Sequence, residues 1–385
     1  MFENKLIYLD NGATTKVDEQ VIKVMLPYFT EKYGNASSTH TLGQEAKNAL
    51  EKSRKIIAAS IGAKGDEIIF TSGGTESNNL AIKGIALANK ERGNHIITTK
   101  IEHKCILNSC KWLEKQGFNV TYLDVDKEGF VSLENLEKAI TNKTILVSII
   151  HGQNEIGTIQ NLESLGKICK KHNVYFHTDA CQSYTKTNID VNKQNLDLVT
   201  LNAHKIHGPK GVGALFIKKG TKIICLQDGG EHEFGLRAGT ENISGIIGFA
   251  EAVKIASNPK HIIHMTQLRD KLINEILKLP NAKLNGSKGN KRLCNNANFS
   301  FKGIEGEAIG GYLDENNICS STGSACSART LEPSHVLMAL GLSHEEANGS
   351  LRLTLSRFTT EKEIDYVLEM LPKIIEKLRK ISPFS

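Results

Sequence analysis

The sequence predicts an α/β protein built on a mostly parallel sheet with helices on both faces. Two observations lead there. Short β-branched runs recur along the chain with helix-like segments between them, and polar, often glycine-containing clusters follow directly on the ends of several runs. The 385 residues are 39% hydrophobic and 23% charged with only 7 prolines, a globular composition long enough for one large domain and a smaller one.

Taken in order, two amphipathic stretches come first. Val21, Val24, Met25 and Tyr28, then Ala46, Leu50, Ile57 and Ile61, recur at roughly helical spacing. The strand-like runs follow at 67–71, 95–99, 120–123, 144–150, 174–178 and 197–201. After about residue 255 the pattern changes to long helices broken by short strands, and a second domain is expected there. The last helix opens on Thr360-Glu361-Lys362-Glu363, a capping-box pattern, and carries Ile364, Val367, Leu368, Leu371 and Leu378 on one stripe.

Composition excludes several classes. The 48 Lys+Arg and 42 Asp+Glu leave a net charge of +6, scattered rather than gathered into a basic stripe, so no nucleic-acid partner is expected. The 8 cysteines include no CxxC pair, which argues against zinc or cluster ligation and for a reducing compartment. The N-terminus carries no apolar leader-like run, and no stretch approaches the ~18 apolar residues of a membrane helix. The expectation is a cytoplasmic protein that binds no metal and no membrane.

In a doubly wound sheet, ligands bind outside the carboxyl ends of the strands, and those ends carry the chemistry here. Ser72-Gly73-Gly74-Thr75 opens a helix-like segment. Its glycines, the Thr75 hydroxyl and the helix N-terminus suit a phosphate, although a plain strand-to-helix turn has the same needs. His103 follows a second strand. Asn154 and Glu155 follow a third, where burying them without partners would be costly. Asp179 ends a fourth run and His204-Lys205 follow the next, 205 − 179 = 26 residues on. An aspartate and a lysine at neighbouring strand ends can be an ion pair. Pyridoxal phosphate requires the same combination, a lysine to hold the cofactor and an acid against its pyridinium nitrogen. A phosphate turn, a ring-stacking imidazole and a polar partner for the 3′-oxygen at the same edge favour the cofactor.

These motifs resemble a known family. Ser72-Gly73-Gly74-Thr75-Glu76-Ser77-Asn78, Glu102-His103-Lys104, Asn154-Glu155-Ile156-Gly157, Asp179-Ala180-Cys181-Gln182, Ala203-His204-Lys205, Arg237-Ala238-Gly239-Thr240 and Ser321-Thr322-Gly323-Ser324-Ala325-Cys326 are similar in order and content to the cysteine desulfurases of the NifS/IscS type. The resemblance runs from Leu9 to Arg379. It implies the pyridoxal-phosphate fold type I, with a mostly parallel seven-stranded sheet in a large domain at 16–255. The smaller α/β domain would combine 1–15 with 256–385 and carry a sulfur-acceptor loop at about 320–332.

By the same resemblance, Lys205 bears the cofactor, Asp179 holds its ring nitrogen and His103 stacks on the ring. Asn154 and Gln182 contact the 3′-oxygen side, and Gly74, Thr75 and His204 hold the phosphate. Asn202 stands where the family usually has serine or threonine, and its amide can donate to the phosphate. Thr240 reaches the phosphate from the neighbouring subunit of a homodimer. Arg352, with Asn154, binds the substrate carboxylate. The expected reaction takes L-cysteine to L-alanine: Lys205 moves the Cα proton, the Cys326 thiolate takes the sulfur as a persulfide, and His103 handles a proton of the substrate thiol. The persulfide then passes to an iron–sulfur scaffold protein or another acceptor. A selenocysteine lyase or an aminotransferase would share the fold, and the Ser321–Cys326 loop separates them because transamination has no use for a thiol courier. A non-catalytic scaffold on the same fold is disfavoured by the intact Asp179/Lys205 pair.

Overall fold

The computed structural model describes residues 6–322 and 332–381. Its strands are β1 (Ile7–Tyr8), β2 (Ile68–Thr71), β3 (His95–Thr99), β4 (Asn119–Leu123), β5 (Thr144–Ser148), β6 (Tyr175–Asp179), β7 (Leu198–Asn202), β8 (Gly213–Ile217), β9 (Ala282–Leu284), β10 (Asn296–Phe301), β11 (Ile318–Cys319) and β12 (Ser350–Thr354). Seven of them form the main sheet in the order β2-β8-β7-β6-β5-β3-β4. All neighbours are parallel except β8, which runs antiparallel to both β2 and β7.

The sheet is covered on both sides, and strand periodicity assigns the sides. Ile69, Ile96, Leu146, Leu198 and Leu215 share one core with Leu80, Ile82 and Ile85 of the helix Gly74–Ala88. Their chain neighbours Phe70, Ile97, Val147, Val199 and Phe216 share the opposite core with Leu50, Ile57, Leu165 and Phe249. Successive residues of a strand point to opposite faces, so strands buried on both sides read as continuous apolar runs.

Two details differ from the sequence reading. Strand β8 escapes it because Gly213-Ala214-Leu215-Phe216-Ile217 holds one β-branched residue and is entered from a Gly/Pro-rich segment. The run at 144–150 ends as a strand at Ser148, because the Ile150 N–H donates to the Glu102 carboxyl at 2.8 Å instead of to a neighbouring strand.

A second core lies apart from the sheet. Strand β10 pairs antiparallel with β9 and β12, and β1 pairs with β11 in the register Ile7↔Ile318. Ile7 and Leu9 pack there with Phe299, Leu351, Leu353 and the last helix, Glu361–Ile381. The capping box forms as read. The Thr360 N–H donates to Glu363 at 2.8 Å and the Glu363 N–H to the Thr360 hydroxyl at 3.3 Å. Ile364, Val367, Leu371 and Leu378 are buried, and Leu368 packs against this core half-buried. Among the described residues no helix is long and apolar enough to cross a membrane.

One buried ion pair fixes the approach to Thr240. Arg54 and Glu233 meet through both guanidinium nitrogens at 2.7 and 2.8 Å, and Glu233 also accepts the Phe70 N–H at 2.7 Å. Glu233 and Phe234 sit at φ 45° and 58°, so the turn departs from ordinary backbone. Removing one partner of such a pair strands a buried charge. Glu233→Ala is expected to cost about 3–5 kcal/mol, measured as a fall in the urea midpoint; a loss below about 1 kcal/mol would show that the turn does not depend on the pair.

Candidate functional site

The parallel strands deliver their carboxyl ends to one edge of the sheet, and a cavity of about 370 Å³ opens there. Its floor is built from β6, β7 and the turn after β2. Asp179, the last residue of β6, is 4% exposed, and its two oxygens accept from Asn78 Nδ2 at 2.7 Å and the Cys181 N–H at 2.9 Å. Asn78 lies one turn into the helix that begins at Gly74, which places its amide over the strand end.

The glycine turn is pressed tightly into place. Gly73 has φ 153°, and a Cβ at Gly74 would stand 2.6 Å from the Cys181 sulfur. Any side chain at Gly74 would therefore displace Cys181 or the turn, and the turn leads the first N–H groups of the helix toward the cavity. Thr75, exposed, and Asn202, buried, line the same end, and the Asn202 Oδ1 has no partner among the described residues.

Lys205 follows β7 and reaches back across the cavity to donate to the Gly12 carbonyl, which also accepts from Gln182 Nε2 at 2.8 Å. Burial first, and then the Arg352 guanidinium, lower the Lys205 amine to about 8, so a far larger share of it is uncharged near neutrality than in an exposed lysine. His204 is lowered to about 4 by burial and by the charges of Lys205, Lys210 and Lys186, and its ring Nδ1 lies 3.2 Å from the Thr14 hydroxyl. It is a neutral imidazole at physiological pH.

Arg352 enters from the second core. Strand β12 buries Leu351 and Leu353 among apolar residues, so Arg352 between them faces the other way, into the cavity. One Nη donates to the Asn154 carbonyl at 3.1 Å and the other to Asp10 at 3.0 Å. Its Nε is buried with no partner among the described residues. Asn154 is held by its backbone, its carbonyl also accepting from Asn296 Nδ2 at 3.5 Å.

The remaining wall carries two buried acids. Burial raises Glu102 to about 8 against hydrogen bonds from the Ile150 N–H and the Thr99 hydroxyl, and raises Glu155 to about 7 against a hydrogen bond from Ser334. His103, next to Glu102, caps the helix Lys104–Glu114 by accepting the Cys105 N–H at 3.3 Å.

One cavity thus gathers Gly74, Thr75, His103, Asn154, Asp179, Gln182, Asn202, His204, Lys205 and Arg352. Thr240 is exposed and does not line it. Cys326 lies outside the described residues. Sequence reasoning assigned no role to Asn78, Gly12 or Asp10. Asn78 had a signal, since four residues on a helix return to the face of Gly74. Asp10 and Gly12 had none, because the contacts that recruit them come from β12, Gln182 and Lys205, far away in the chain. Among the described residues no group of three or more His, Cys, Asp or Glu is placed to hold a metal ion.

Comparisons with known proteins agree with one another. Residues 7–367 match the aminotransferase class-V family. The chain is 52% identical over 384 residues to the cysteine desulfurase IscS of Clostridium botulinum strain Hall, covering 99% of this chain and 97% of that one. A solved NifS-like protein superposes with a TM-score of 0.92 at 40% identity, over 97% of this chain and 100% of the other. A structure described as SspA in complex with cysteine superposes at 0.82 with 39% identity, over 92% and 100%. With a class-V match over residues 7–367, a cavity lined by both Asp179 and Lys205, and desulfurase relatives matched along nearly their whole length, the chain belongs to the cysteine desulfurases of the NifS/IscS type within the class-V aminotransferases.

Proposed function

We propose that this desulfurase binds pyridoxal 5′-phosphate in the cavity of about 370 Å³ and uses it to take sulfur from L-cysteine, leaving L-alanine. The observation that carries the reading is the pairing of a buried, Asn78-held Asp179 with a low-pKa Lys205 across one cavity, beside a buried Arg352 Nε that has no partner among the described residues. The residues fit the cofactor. Asp179 suits the ring nitrogen and Lys205 the aldehyde carbon. Gln182 suits the 3′-oxygen. The tight turn at Gly74, with Thr75, His204 and the orphaned Asn202, suits the phosphate. Bound there, the cofactor supplies an electron sink for the pair left at Cα when its proton departs.

The chain's own residues do the rest. Arg352 turns its unused donors to the substrate carboxylate and, with Asn154, orients the substrate. Lys205, whose buried amine gives up its proton more readily than an exposed lysine, is the base that takes the Cα proton. His103, at the cavity wall, accepts or returns a proton at the substrate thiol. Cys326 takes the sulfur as a persulfide: its thiolate forms the new S–S bond as the Cβ–S bond of the substrate breaks. The persulfide then goes to an iron–sulfur scaffold protein or another sulfur carrier.

Two units divide this work, 16–255 holding the cofactor and 1–15 with 256–385 supplying Arg352 and the acceptor loop at about 320–332; the separate second core supports that division. The enzyme is a homodimer in which Thr240 serves the partner's phosphate. Supporting this are the exposure of Thr240 outside its own cavity and the exposed Leu26, Phe29 and Tyr33 on one neighbouring stretch. A cytoplasmic setting keeps the courier thiol reduced.

Product analysis tests the reading. L-cysteine is expected to give alanine and transferred sulfur, and a keto acid instead of alanine would assign the chain to transamination. Cys326→Ala is expected to lower alanine release with a protein acceptor by on the order of 100-fold or more. Undiminished release would remove Cys326 from the mechanism.

A further inference from the structure

Lys186 has no place in the chemistry above, yet it lies directly behind it. It follows β6, four residues beyond Gln182, and is half-buried. Its ammonium donates to the Gln182 carbonyl at 3.0 Å and to the carbonyl of Lys205 at 3.3 Å. Both contacts are to the main chain of residues that line the cavity. Lys186 and Lys205 also share a second, much smaller cavity of about 30 Å³ with Arg357, room for about one water.

An ammonium in such a place needs a reason. It is held by two neutral carbonyls and forms no ion pair with a carboxylate among the described residues. Burial lowers it to about 8. The groups bearing on Lys205 come from several elements: Arg352 from β12 and Lys186 disfavour its charge and Asp10 after β1 favours it, while the Cys181 thiol after β6 is kept protonated by burial. Lys186 bears in the same sense on His204 and on His207.

We propose that Lys186 is a positioning residue for Lys205: it clasps the peptide carrying Lys205 to the Gln182 turn and sets a second positive charge behind the reactive amine. The inference rests on Lys205 being the cofactor-bearing lysine. Its physical logic is general, since a neighbouring cation is one of the ways in which a lysine is kept nucleophilic. A purely structural clasp would need the hydrogen bonds and not the charge, and three substitutions separate the two. Lys186→Arg keeps both, Lys186→Gln keeps a donor without charge, and Lys186→Met keeps neither.

The test is the pH dependence of Lys205 labelling by an amine-reactive reagent, read by mass spectrometry on the full-length chain stripped of cofactor. Only the uncharged amine reacts, so the midpoint reports Lys205 directly. In Lys186→Gln and Lys186→Met the midpoint is expected to rise by about half a pH unit or more, and in Lys186→Arg to stay with the parent. Equal midpoints in the parent, the Gln and the Met chains would overturn the proposal, as would an Arg chain that behaves like Met. Adding pyridoxal phosphate to the parent chain separates the two questions. Failure to develop a visible absorption band counts against the cofactor reading, while the labelling midpoints still decide the role of Lys186.

Discussion

Lys205→Ala is expected to abolish turnover, with alanine formation from saturating cysteine falling on the order of 10⁴-fold or more, about 5 kcal/mol of barrier. Both of the proposed duties of Lys205, holding the cofactor and moving the Cα proton, end with its amine. The methyl group left behind also frees the Gly12 carbonyl of one donor while Gln182 keeps the other, so the fold is expected to survive. Thermal unfolding within a few degrees of the parent, together with lost activity, is the predicted pair of results. Activity within tenfold of the parent would remove Lys205 from the reaction.

Asp179→Asn should be the next most damaging change. The amide is nearly isosteric, but it cannot supply the negative charge that keeps a pyridine nitrogen protonated, and its NH₂ would meet the Asn78 NH₂ now donating at 2.7 Å. A fall in kcat of about 10²–10³ is expected, comparable with loss of one preorganised electrostatic contact in a dry site. Because Arg352 and Asn154 are untouched, KM should change far less than kcat. A kcat within threefold of the parent would mean that the carboxylate serves only the fold.

Much of this site was legible because its residues sit where strand ends put them. Asp179, Asn202 and Lys205 lie at or just past the ends of β6 and β7, and the alternation of apolar runs located those ends to within a residue or two. Arg352 was legible only through resemblance. Nothing local says that the face of β12 carrying Arg352 turns to the cavity rather than to solvent. The same physics explains what was missed. Strand β8 holds a single β-branched residue, Ile217, and so does not declare itself, and Glu102 ends the 144–150 run by accepting the Ile150 N–H from 48 residues away. Asp10 and Gly12 became part of the cavity through contacts to Arg352 and Lys205, which no window along the chain can display.

The pairing of β1 with β11 bears on how the protein is made. Ile7 waits for Ile318, 318 − 7 = 311 residues later, and the Gly12 N–H waits for the hydroxyl of Thr354, to which it donates at 2.7 Å. On the ribosome the sheet can form while Ile7 and Leu9 still lack their partners, and the second core closes only when the C-terminal strand and helix have emerged. Until then Arg352 has not arrived, Asp10 lacks its ion pair, and Gly12 is held only through its carbonyl, by Lys205 and Gln182. On the proposed mechanism, a chain that lacks the C-terminal strand and helix is therefore expected to be inert: it would hold most of the proposed cofactor contacts without the Arg352 that would seat the substrate.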